Sequence, residues 1–137
     1  MKLKMLAAAA LYFTIVFGVG FLVGPVRVLY VEPRVGATVA VLLEAPILVV
    51  AMVVSAKFML RWIDVERPTA LLAIGVVALF MQQVADIAVG VLLRGMTIGD
   101  LMRQFATAPG MIYAMLLLAF LLMPLLIGKR GKAYAAP

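Results

Sequence analysis

Cysteine and histidine are both absent from the 137-residue chain. Their absence excludes disulfides, thiolate and imidazole metal sites, axial histidine ligation of haem and histidine acid–base chemistry. Charge is scarce as well. Only 13% of residues are Asp, Glu, Lys or Arg, about half of what a soluble domain spends on its hydrated surface. No low-complexity tract or internal repeat appears, and no nucleophile stands beside a base. An enzyme is therefore not expected, and neither a metal nor a cofactor is implied.

What remains is hydrocarbon. Hydrophobic residues make up 67% of the chain and mean hydropathy is +1.22, whereas soluble domains stay near 45–50% apolar. Four runs reach the roughly 20 residues needed to cross a bilayer core about 30 Å thick: Leu3–Val23, Val35–Ala56, Thr69–Leu93 and Met111–Gly128. They predict an all-α integral membrane protein, one four-helix transmembrane domain over residues 1–137. The apolar run behind Lys2 and Lys4 exceeds the 7–15 residues of a signal-peptide core and no A-x-A site closes it. It reads as an uncleaved first span.

The net charge of +6 does not point to nucleic acid, because the basic residues are scattered at helix ends. Lys2, Lys4, Lys57, Arg61, Arg67, Lys129, Arg130 and Lys132 fall on one face of the expected topology. Arg27, Arg34, Arg94 and Arg103 fall on the other. By the preference of positive loops for the cytoplasm, both termini, including a basic tail at 129–137, are cytoplasmic. A bacterial inner membrane is the expected location. Trp62 and Tyr30 lie near the expected water boundaries, where amphipathic rings prefer to sit.

Two connections carry local signals. In GPVRVLYVEPRVG, Pro25 either ends span one near Gly24 or kinks it into a short continuation. Pro33 suits the first turn of span two, with Glu32 at that helix's positive end. In RGMTIGDLMRQFATAPG, Ile98, Leu101, Met102 and Phe105 share a helical face. Thr97 and Asp100 have the spacing of a capping box. A short helix over about 98–107 is expected to lie in the interface, either dipping its apolar side into lipid or simply connecting two spans.

Polar and small residues mark the faces where spans should meet. On span two, Gly36, Ala40, Glu44, Ala51 and Ser55 fall within about 100° of one another at 100° per residue. On span three, Gly75, Leu79, Gln82, Gln83, Asp86 and Gly90 do the same, with Arg94 at the edge. Span one offers Ala7, Ala10, Thr14 and Gly18, with Gly20 and Gly24 in a G-x-x-x-G pair. Span four, Leu- and Met-rich all round, is expected outermost and bent by Pro124.

Glu44 and Asp86 lie roughly 13 and 10 Å from the same surface at 1.5 Å per residue. They are expected to face each other in a seam between spans two and three, with Arg27, Arg34 or Arg94 as partners. Two functions suit such a seam. As a fastener it would serve an accessory or assembly subunit that associates with other membrane helices, in a homo-oligomer or a larger complex. As a proton or ion site, with Gln82 and Gln83 as neutral ligands, it would serve a small transporter or channel formed by self-association.

Overall fold

A computed structural model describes residues 2–63 and 67–135. Every regular element among them is helical. Four helices are long and apolar enough to cross a membrane. They are α1 (Leu3–Val35), α2 (Ala37–Trp62), α3 (Pro68–Leu93) and the apolar part, Ala108–Gly128, of a last helix. That helix, α5, runs over Ala108–Ala135, and the short α4 (Ile98–Gln104) precedes it. The side chains of Lys129, Arg130 and Lys132, and residues 136–137 of the basic tail, lie outside the described residues.

The first span is longer than the sequence suggests. α1 passes straight through Pro25 and widens into a π-helical segment over Arg27–Val31. It resumes α-helical winding at Glu32–Val35. A proline removes one N–H and crowds the carbonyl four residues earlier, here that of Phe21, yet the helix continues past it into the wider winding. Pro33 accordingly sits in the last turn of α1, not at the start of α2. The reversal falls on one residue, Gly36, at φ 88° and ψ 160°. This left-handed backbone favours glycine. Its N–H donates to the Glu32 carbonyl at 2.8 Å and its own carbonyl accepts from Ala40 N at 3.0 Å. Gly36 is a turn residue, not the packing residue that its place in the small-residue stripe implied.

α3 ends similarly. Val89–Leu93 is π-helical, and Gly95 at φ 65° stops the helix while Met96 N reaches back to the Gly90 carbonyl at 2.9 Å, closing the chain as a left-handed C-cap does. Leu101 of α4 then lies over Gly90, where a Cβ would meet its side chain at 2.8 Å.

α1 packs along α2 and α3, and α5 packs along the same two helices. α2 and α3, although consecutive, therefore stand diagonally across the bundle. The end that carries Gly36 and α4 is called the loop end below, and the opposite one the terminal end. Two expectations are corrected. α5 is not outermost, since Leu116, Phe120, Met123 and Pro124 are buried. And the small residues of α1 at Ala7 and Thr14 are exposed, while Ala8, Ala9, Tyr12 and Val16 form its buried face.

The centre is closed by α1 and α5. The Tyr12 and Phe120 rings stack with centroids 4.5 Å apart, and Tyr12 Oη donates to the Phe120 carbonyl at 2.6 Å. Phe120 is four residues before Pro124, whose missing N–H leaves that carbonyl without its helical partner. Tyr12 supplies the donor that the proline withholds. Met52, Ala56, Met59, Ile74, Ala78 and Met123 fill the space around this pair. Ser55 adds no polar contact between helices, because its hydroxyl donates back to the Ala51 carbonyl one turn earlier.

Candidate functional site

The polar residues singled out in the sequence form two clusters near the loop end, one in each helical hairpin. In the first, Arg27 Nε pairs with Glu44 Oε2 of α2, and Arg27 Nη1 donates to Glu32 Oε1 at 2.6 Å. The side chains are mostly enclosed: Glu44 is 10% exposed and Arg27 23%. The π-helical segment explains the Arg27–Glu32 contact. In an α-helix residues five apart point about 140° away from one another, whereas i→i+5 winding stacks them on one side. A cleft of about 150 Å³, walled by Val23, Val31, Leu43 and Ile47, opens beside the Arg27–Glu44 pair.

In the second cluster, Asp86 accepts from Gln82 Nε2 at 3.1 Å and from the Tyr113 hydroxyl of α5. Gln82 is buried, and its Oε1 has no partner. Phe105, just past α4, covers Tyr113 with ring centroids 6.4 Å apart. No basic side chain among the described residues forms an ion pair with Asp86.

The expected seam between Glu44 and Asp86 is thus not made. Among the described residues no hydrogen bond or ion pair joins them, and their helices occupy opposite corners. Depth from a helix end can be counted along the chain, but which helix fills the gap between two others cannot. Arg34 and Arg94 are exposed and pair with neither acid, and Gln83 is half-buried beside its partnered neighbour. Tyr12 and Tyr113 are the residues that sequence reasoning missed. Both lie in apolar runs, and only the helix arrangement reveals that each hydroxyl meets an acceptor on another helix.

The glycines divide in the same manner. A Cβ at Gly75 would collide with the Leu121 backbone carbonyl, so α3 and α5 touch backbone to backbone there. Gly20 faces Leu48 at 3.7 Å, whereas Gly18 and Gly24 meet nothing within 4 Å. Ala40, 1% exposed, lies in the interface that α2 makes one turn before Glu44.

Comparison with protein-family models, curated proteins and solved structures matches none of them. The chain is a four-cornered bundle of apolar helices, with two separate polar clusters at its loop end.

Proposed function

We propose that the chain is a small polytopic membrane protein acting as an accessory or assembly subunit through helix–helix association. The carrying observation is the outer ridge of α1. Ala7, Ala10, Thr14, Gly18 and Gly24 lie opposite the buried Ala8–Tyr12–Val16 face, and beside Gly18 and Gly24 there is open space. Small residues let helix backbones approach closely inside lipid, and no other part of the described chain comes within 4 Å of a Cβ placed at Gly18 or Gly24. The neutralisation of Glu44 by Arg27 supports the same reading, because an acid paired inside its own hairpin fastens that hairpin. The rival reading, transport through self-association, draws less support. The terminal half of the bundle is filled by apolar side chains, and among the described residues no hydrogen-bonded polar route continues from either cluster.

Orientation follows from charge. Four basic and four acidic residues fall at the loop end, and eight basic with two acidic at the terminal end. The entire excess of +6 therefore sits with the termini, which favours a cytoplasmic position for them, in a bacterial inner membrane on this reading. α4 then lies on the outer interface. Ile98, Met102 and Phe105 are 62%, 71% and 41% exposed, as suits an apolar face resting on acyl chains. Purification in mild detergent tests the proposal. A larger, defined assembly is expected, and Gly18→Leu, whose Cβ meets open space, should dissolve it without unfolding the bundle. Recovery as a lone monomer would refute the proposal.

A further inference from the structure

The second cluster has a feature that a fastener does not need. Both oxygens of Asp86 accept hydrogen bonds, from an amide and from a phenol. That is how an ionised carboxylate is held, since it can only accept. Yet no cation of the chain faces it among the described residues. Arg94, two turns further along α3, is exposed and unpaired with it. Arg27 is engaged by Glu32 and Glu44. From α4, Asp100 and Arg103 pair with each other, the Arg103 guanidinium 80% exposed. α2 contributes only Glu44 at this end, and Arg27 engages it. A lone charge at the depth of the hydrocarbon is costly even on the lenient insertion scale.

Gln82 Oε1 completes the picture. It is buried without a donor, and a buried orphan acceptor is costly. A proton on Asp86 Oδ1 removes the charge and gives that acceptor a donor. The carboxyl becomes neutral and gains an O–H, and a half-turn of the Gln82 amide presents Oε1 to receive it, with Nε2 taking the buried place that Oε1 held. Tyr113 continues to donate to Oδ2. A metal ion is a poorer fit, because Asp86, Gln82 and Tyr113 offer fewer oxygens than the six or more that hard cations take, and no acid cluster able to hold a metal occurs among the described residues.

We propose that Asp86, clamped between Gln82 and Tyr113, is a reversible proton-binding site. The proton comes from water at the loop end, forms the Asp86 O–H bond and exchanges one amide orientation for the other. The inference rests on the membrane reading of α3 and α5, not on the subunit reading.

The test is carbodiimide labelling of the full chain in neutral phospholipid vesicles. Dicyclohexylcarbodiimide is apolar and adds to protonated carboxyl groups, leaving a stable N-acylurea that peptide mapping locates. Labelling at Asp86 is expected under acid conditions and lost under alkaline ones, with no protection by Na⁺ at constant pH. Tyr113→Phe removes a donor to the ionised form and should keep labelling to a pH about one unit higher. An unlabelled Asp86 at every pH, equal labelling of Glu44, or protection by Na⁺ would overturn the proposal. Flotation separates the two layers of argument. A chain that does not float with the vesicles overturns the membrane reading together with this site, and a floated chain with unlabelled Asp86 overturns the site alone.

Discussion

At the scale of single residues, the molecule is organised by defects and the side chains that mend them. Pro124 frees a carbonyl and Tyr12 caps it from another helix. Tyr12→Phe should therefore destabilise the bundle by about 1–3 kcal/mol, the cost of a buried acceptor left without its donor, as read by unfolding in mixed micelles. Tyr30→Phe, at an exposed ring, should change it by less than about 0.5 kcal/mol. Arg27 holds two carboxylates. Arg27→Gln leaves Glu44 enclosed without a cation and should cost about 3 kcal/mol, whereas Arg34→Gln and Arg94→Gln, at exposed positions, should be close to neutral. Residue-level legibility was uneven for physical reasons. Glu44 and Asp86 announced themselves as carboxylates in oil, and Gln82 stands one helical turn from Asp86. Tyr113 carried no such signal, because a tyrosine in an apolar run is compatible with core, interface or lipid.

At the scale of elements, the ends of the helices decide where the polar groups lie. The π-helical segment after Pro25 aligns Arg27 with Glu32, a contact that α-helical spacing cannot foresee. The cap of α4 was legible, because Thr97 and Asp100 interact through a pattern three residues long. Their side chains and backbone amides bond reciprocally at 3.1 Å. The backbone N–H of Thr97, and then its hydroxyl, hold the Asp100 carboxyl below its ordinary range. A depressed carboxyl contributes stability above its unfolded value and loses it as pH falls through the folded one. Hydrogen exchange over residues 98–104 should therefore accelerate under acid conditions, and Asp100→Asn should remove that acid sensitivity. Between helices, Gly75 is the tightest point. Gly75→Ala should cost about 1–3 kcal/mol through overpacking against the Leu121 backbone, while Gly18→Ala, facing open space, should be neutral or mildly stabilising.

At the scale of the whole molecule, helix number and approximate length could be read directly, because four separate apolar runs mark them. The arrangement could not. Four apolar helices admit several orders around a bundle, and within lipid there is no hydrophobic drive to prefer one. α2 and α3 are adjacent in sequence and diagonal in space, so the two acids serve different hairpins. This is the claim on which the account turns. Double-mutant cycles on unfolding free energy test it most directly, using Arg27→Met with Glu44→Gln, and Glu44→Gln with Asp86→Asn. A coupling of about 1–3 kcal/mol is expected for Arg27 with Glu44 and additivity within about 0.5 kcal/mol for Glu44 with Asp86. Strong coupling between the two acids, with none between Arg27 and Glu44, would contradict it.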